Sequence, residues 1–430
     1  MKKSLLALAA MSAIAGAAQA QSSVTVYGIL DVGFVGSHYS GTAAPASTVS
    51  TGTTNQAGAT GGPATQASSA GFGQSAESTS RIGFKGAEDL GGGLSAVFTL
   101  ETAVDPDGKA PAFAFNRQTF VGLNKKGVAT ATIGTQYTPM FDVQSATDAA
   151  GNNNIVGNAV YSGNLQATTG TYNTGAGPFG GTSTTATTGA PVSMDAANGA
   201  YVTRASNALK VQSDRIAGIQ GEAFYAQSNN SQSGTTGGIS GANNNTMYGF
   251  NADYIWNKLQ VVAAYQSIRV QQGQTVGTTS ATGTGLILAN GTAGLFGNNV
   301  SDNSTYAAAT YDFGILKGYA QYITRKAFST VDNNFGTSRS AYQLGARASL
   351  TPTIQVYATY GLGKSSYAQA GTAYANFRTA QLGSDYYLSK RTNLYVAYGS
   401  YNQSSPNSAS VPTISSMSGM NYAAGIRHTF

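Results

Sequence analysis

Val24-Thr25-Val26-Tyr27-Gly28-Ile29-Leu30-Asp31-Val32-Gly33-Phe34 is the stretch whose reading decides the fold. Val24, Val26, Leu30, Val32 and Phe34 share one face of an extended chain, and Thr25, Tyr27, Asp31 and Gly33 share the other, because strand side chains alternate with period two. One apolar face and one polar or small face, over about ten residues, is what a barrel wall between lipid and water requires. The signal of one strand is weak, so the pattern must recur. Comparable runs begin near Ser80, Leu94, Phe113, Val128, Ala200, Ile216, Met247, Lys258, Thr305, Lys317, Ser340, Thr353, Asn376, Thr392 and Gly419. With the first they make about sixteen, an even number that suits an antiparallel transmembrane β-barrel wide enough to leave an aqueous channel.

Composition leads to the same place. Lys2 and Lys3 precede an apolar run from Leu5 to Ala18 that ends in Ala18-Gln19-Ala20, the pattern of a cleavable export signal over residues 1–20. That run is shorter than the ~20 residues a spanning helix needs, and nothing after it is apolar for long enough to span as a helix. Removing Lys2 and Lys3 lowers the formal charge from +6 to +4, too mild a balance to suggest nucleic acid. There are no cysteines, which excludes a disulfide scaffold and a thiolate metal site. Only 9% of residues are charged, low for a soluble surface, yet 25 tyrosines make the chain too aromatic for disorder. A barrel, polar inside and apolar outside, reconciles the two.

The connections differ in length. Glu88–Gly93, Asn124–Gly127, Asn257-Lys258, Asp312–Gly314, Leu350–Pro352 and Ser389–Arg391 are short and read as periplasmic turns. Residues 35–77, 137–198, 228–245, 270–303, 327–338 and 403–418 are long and rich in Gly, Ser, Thr and Asn, and read as extracellular loops. No other domain-like segment lies between them, so residues 21–430 form one domain. In the last run, Met420, Tyr422, Ala424, Ile426, His428 and Phe430 share a face, and a barrel without edges must pair this strand with the one near Val24. Tyrosines at strand ends and the sole Trp256 fit interfacial girdles.

Five pieces in order resemble general-diffusion porins of Gram-negative outer membranes, especially the beta-proteobacterial branch: Ser23–Asp31, Ser80–Leu94, Phe115–Leu123, Ile133–Pro139 and Gly425–Phe430. The resemblance covers essentially the whole chain after residue 20. It implies a sixteen-stranded homotrimer in contact with outer-membrane lipid and lipopolysaccharide, each subunit with its own pore narrowed by a third loop folded inside. It also implies that Phe430 is a signal to the barrel-assembly machinery. The third long loop would start near Pro139 and run towards Asn198.

Alternation and resemblance together select the charges that matter. Ile82 and Phe84 must face lipid, which turns Arg81 and Lys85 to the lumen, since a cation at the lipid midplane costs ~2–4 kcal/mol. The same logic turns Arg117 inward, and the resemblance places Arg204 beside them, completing a basic wall. Opposing carboxylates are sought in the third loop, which offers Asp142, Asp148 and Asp195; its centre, Gly151–Asn158, carries none. Thr135 stands where such porins often have an arginine. Asp31, Glu101 and Glu222 also alternate onto the lumen face, as part of a solvated lining. The balance predicts a modest anion preference at the constriction.

No catalytic reading competes well. His38 and His428 are the only histidines, no Ser/His/Asp set converges by spacing, and no cluster has metal-ligand spacing. Gly91-Gly92-Gly93 is a turn, because strands rather than a helix follow it. The expectation is a channel, not an enzyme, with no cofactor, passing small hydrophilic solutes and ions. Two alternatives stay open: a substrate-selective channel, and a structural or adhesive barrel that works through its long loops.

Overall fold

The computed structural model describes residues 23–41, 65–106, 117–161, 203–232, 241–271, 299–330, 336–367, 373–404 and 417–430. The expected export segment, residues 1–20, lies outside them. Strands β1 (Ser23–Gly41), β2 (Thr65–Gln74), β3 (Arg81–Gly91), β4 (Leu94–Ala103), β5 (Thr119–Lys125) and β6 (Ala129–Tyr137) precede a helix, α1 (Pro139–Ala146). Then follow β7 (Arg204–Ser213), β8 (Ile219–Gln232), β9 (Gly241–Trp256), β10 (Leu259–Gln271), β11 (Asn299–Asp312) and β12 (Leu316–Ser329). The last are β13 (Gly336–Ser349), β14 (Ile354–Tyr367), β15 (Ala373–Tyr387), β16 (Thr392–Gln403) and β17 (Met417–Thr429).

From β3 onward each strand pairs antiparallel with the next, and β17 pairs back onto β1, Ile29 to Gly41 against Thr429 to Met417. Phe430 completes the closure: its N–H donates to the Gly28 carbonyl (3.2 Å) and the Gly28 N–H donates to its carbonyl (3.1 Å). Among the described strands no sheet edge is left, so their backbone polar groups are satisfied within the wall.

The first loop differs from its expected extent. Residues 35–77 contain the upper part of β1 and all of β2, and β2 pairs with β1 over Val32–Gly41 while β3 pairs with β1 over Ser23–Ile29. β2 and β3 are therefore one stave interrupted at residues 75–80, and seventeen strands make a sixteen-stave barrel. Two other strands start later than their patterns suggest, β5 at Thr119 and β7 at Arg204.

The faces sort as the physics of the two solvents demands. Val26, Val121, Ile133, Leu344 and Val396 are exposed on the outside, whereas Gln343, Gln381 and Asn421 are buried on the inside. Aromatic residues mark two levels on the outer face. Tyr254, Trp256, Tyr311, Phe313 and Tyr386 lie by the short turns, and Tyr322, Tyr342, Tyr360, Tyr398 and Tyr422 lie nearer the long loops.

Candidate functional site

Residues 138–161 leave β6 and lie against the inner wall. Thr138 caps α1, its hydroxyl accepting from the Phe141 N–H (3.2 Å), and Pro139 occupies the first helical turn, where a missing N–H costs nothing. Asn251 on β9 donates to the Pro139 carbonyl (2.8 Å), and the Thr147 hydroxyl meets the Tyr306 hydroxyl on β11 (2.6 Å). Farther on, Gln343 and Arg347 on β13 donate to Asp148 Oδ1 (2.8 Å) and the Ala149 carbonyl (2.9 Å). Gln381 on β15 donates to the Ile155 carbonyl (2.6 Å), and the Val156 N–H donates to Asn421 on β17 (2.8 Å).

Glycines on the wall make this approach possible. A Cβ on Gly361 would stand 2.3 Å from the Ala159 Cβ, and one on Gly345 would stand 2.8 Å from the Ala149 Cβ. The tip of the segment clasps the break between β2 and β3. Asn154 donates through its N–H to Ala76 (3.0 Å) and through its side chain to Ser75 (2.6 Å).

That segment follows the wall from β6 and β7 round to β17 and leaves β3 to β5 uncovered over its described length. There and at the start of β7 the arginines gather. Arg117 pairs with Glu101 and donates to the Tyr137 hydroxyl (2.7 Å), while the Arg204 guanidinium lies 5.6 Å from the centre of the Tyr137 ring. Arg81 donates to the Thr79 carbonyl (2.8 Å) and stands within electrostatic reach of both other arginines. Tyr27 donates to Glu101 (3.0 Å), and the Lys85 ammonium sits 5.4 Å from the Tyr27 ring centre. Glu101 is paired with Arg117, and among the described residues Arg81, Lys85 and Arg204 make no ion pair with any acid.

The acidic residues differ from expectation. Asp142 does lie on the loop, but it pairs with Lys210 on β7, which also contacts Glu222 (3.2 Å), so its charge is neutralised at the wall. Asp148 is turned away from the lumen and buried, accepting from Gln343 and from the Asn152 N–H (2.7 Å). Burial pushes its carboxyl up to about 6 against those hydrogen bonds. Asp195 lies outside the described residues.

Asp31, Glu101 and Glu222 face inward but are no solvated lining: all three are buried. Asp31 is 0% exposed, accepting from Tyr395 (2.6 Å) and from the N–H groups of Glu77 (2.8 Å) and Ser78 (2.6 Å), and so holds the β2–β3 break. An inward carboxylate in a wall this crowded is stable only when its oxygens are satisfied.

Other inward charges escape the sequence reading. Lys210, Arg325, Arg339, Arg347 and Arg427 all point inward; Arg325 pairs with Asp302, Arg347 with Asp385 and Arg427 with Glu77. A signal for them exists: Lys210 stands between Leu209 and Val211, both exposed to the outside, and that alternation turns it inward.

The comparisons with known proteins agree with this architecture. Outer membrane porin protein 32 of Delftia acidovorans is 42% identical over 127 residues, a stretch covering 29% of this chain and 29% of that relative. An outer membrane porin protein of Bordetella pertussis is 28% identical over an alignment covering 100% of both chains. Among solved structures, an anion-selective porin from Comamonas acidovorans superposes with a TM-score of 0.63 at 22% identity, covering 95% of this chain and 100% of that one. The profile of Gram-negative porins matches residues 7–406. A closed sixteen-stave barrel, a segment laid along its inner wall and a family match across nearly the whole sequence give one conclusion: this chain belongs to the Gram-negative porin family, in the outer membrane.

Proposed function

We propose that the protein is a general-diffusion porin that passes small hydrophilic solutes and ions through a water-filled channel, with a modest preference for anions. The observation that carries the preference is the imbalance of charge on the β3–β7 side of the wall, where Arg81, Lys85, Arg117 and Arg204 gather and Glu101 is the carboxylate paired among them. Charges across a narrow band of confined water are poorly screened, so three uncompensated cations raise the local concentration of anions. The described loop carboxylates do not offset them, one being paired with Lys210 and the other buried. The likeness to the Comamonas acidovorans protein, an anion-selective porin, supports the same sign.

The protein works as a homotrimer embedded in outer-membrane lipid, has no catalytic activity, and is delivered by the barrel-assembly machinery that reads Phe430. Reversal potentials across a planar bilayer in a KCl gradient, with swelling of liposomes by small sugars, test the proposal. Conductance steps in threes and a chloride-favouring potential are expected. A cation-favouring potential overturns the preference, and a barrel that does not conduct points to a structural or adhesive role. Saturable block by one solute points to a selective channel.

A further inference from the structure

Tyr27 lies across Gly83, its partner in the ladder between β1 and β3. A Cβ on Gly83 would stand 2.5 Å from Tyr27 Cζ and 2.7 Å from both Cε1 and the hydroxyl oxygen, so the glycine meets the ring through its face, not its edge. Gly83 is buried beneath the ring, which is itself half-buried and turns its other face to the lumen. Along the inner face of β3 the neighbours of Gly83 are Arg81 and Lys85, whose Cα atoms stand ~13 Å apart, the rise of four residues. The Lys85 ammonium is 5.4 Å from the ring centre, and Arg81 is within electrostatic reach of the Tyr27 hydroxyl. An aromatic face is thus framed by a cation on each side.

Exposure sets this ring apart. Among the described residues, Tyr357, Phe377 and Tyr395 also lie inward across a glycine, Gly383, Gly363 and Gly425 respectively, and all three are buried. Arg347 and Arg339 lie over the first two, 5.1 and 4.6 Å from the ring centres, but Arg347 is held by Asp385 and the Ala149 carbonyl, and Arg339 by the Ala159 carbonyl. Those rings serve packing. Tyr27 keeps a face in the lumen, on a sector that residues 138–161 leave uncovered, and the carboxylate beside it, Glu101, is occupied by the Tyr27 hydroxyl (3.0 Å) and by Arg117. Such a surface matches a flat ring that can lie on Tyr27 and carries a negative group to meet Arg81 or Lys85.

We propose that Tyr27, Arg81 and Lys85 form a subsite for planar aromatic monocarboxylates on their way through the pore. The solute's ring stacks offset on the free face of Tyr27, and its carboxylate accepts from the Arg81 guanidinium or the Lys85 ammonium. Chloride uses the cations alone and sugars use neither group, so both pass and the pore stays general. The proposal rests on the anion-preferring channel proposed above and names the anions that it retains longest.

Single-channel recordings of the folded full-length protein in KCl at neutral pH test it, with benzoate and cyclohexanecarboxylate as probes. The two carry the same charge and nearly the same bulk. The saturated ring is the more apolar, so burial alone favours cyclohexanecarboxylate, whereas stacking favours benzoate. Half-block of the current is expected at a benzoate concentration roughly threefold or more below that of cyclohexanecarboxylate. Benzyl alcohol, a ring without charge, should block far more weakly than benzoate, and phenylacetate should block like it, as befits a class rather than one solute. Tyr27→Leu should erase the difference between the two acids, and Tyr27→Phe, which loses the Glu101 hydrogen bond but keeps the ring, should retain it. Equal block by both acids in a channel whose reversal potential still favours chloride overturns the subsite and leaves the anion preference standing; a cation-favouring potential overturns both. A Tyr27→Leu channel that conducts and still prefers benzoate also overturns the subsite, as does block by benzyl alcohol equal to that by benzoate.

Discussion

Gly399 on β16 and Val156 on the inserted segment meet backbone to backbone: a Cβ on Gly399 would stand 1.7 Å from the Val156 carbonyl oxygen and 2.6 Å from Ile155 Cγ2. No rotation of a side chain relieves that overlap, because its nearest member is main chain. Substituting Gly399→Val is expected to lift residues 155–157 off the wall, towards the side where the arginines stand. The strain is ~1–3 kcal/mol, the usual range for overpacking, and it falls on the segment rather than on the strand ladder. Single-channel recordings should show lower conductance with more open-channel noise, while the barrel keeps its resistance to SDS at room temperature. Unchanged conductance would mean that the segment does not bound the channel there.

Barrel closure rests on the exchange between Gly28 and Phe430, and it gives a stability prediction at each end. Deleting Phe430 removes two backbone hydrogen bonds, each worth ~0.5–1.5 kcal/mol. It also removes the ring that fills the space beside Gly28. Gly28→Ala acts from the other side, since a Cβ there would stand 2.4 Å from the Phe430 ring and 2.6 Å from the Arg81 carbonyl oxygen. Both changes should lower the thermal midpoint of the barrel in detergent. An unaltered midpoint for the deletion would show that closure does not depend on this pair.

Much of the wall is legible in the sequence because its outer face has to be apolar. Val24 to Phe34 and Met420 to Phe430 alternate plainly, and the two strands close the barrel as their order requires. β2 hides in a loop because Thr65–Gln74 is small or polar apart from Phe72, the one large apolar residue in it. The burial of Asp31 is not readable at all, since Tyr395 and residues 77–78 reach it from distant parts of the sequence. The same holds for Asp148, whose partner Gln343 is a strand residue nearly two hundred positions away. Alternation settles which face a side chain takes, whereas crowding inside the barrel depends on what the loop brings in.

Asp148 makes the seating of the loop sensitive to pH. Burial raises its carboxyl from 3.8 to about 6 in the folded protein, so the folded state binds a proton that the unfolded chain releases. Stability from this group is therefore greatest below pH ~4 and falls as pH rises through 6, by about 3 kcal/mol at ~1.4 kcal/mol per unit. Asp148→Asn carries no charge and keeps an oxygen for Gln343 or Asn152. The thermal midpoint of the unaltered protein, measured relative to the variant, should rise as pH is lowered from 7 to 4 and stay flat above pH 7. A relative midpoint that does not change between pH 4 and 7 would show that this carboxyl does not titrate on folding.

The arginine wall can be separated from a merely structural role by treating charge and shape independently. Removing one charge ~8 Å from a passing ion in water changes its energy by ~0.5 kcal/mol, against chloride and in favour of potassium, so the ratio of the two shifts by ~1 kcal/mol, about fivefold at low salt. Arg204→Gln should lower the chloride-to-potassium ratio by about that factor, and adding Arg81→Gln should lower it again. Arg204→Lys keeps the charge but loses the planar contact with the Tyr137 ring, so it should preserve selectivity even if conductance changes. If Arg204 serves chiefly to pack against Tyr137, the glutamine and lysine variants will resemble each other in conductance and neither will move the reversal potential. Glu101 is the wrong residue for this test. Its loss would leave Arg117 buried without its partner, a change large enough to disturb folding and to obscure any effect on ions.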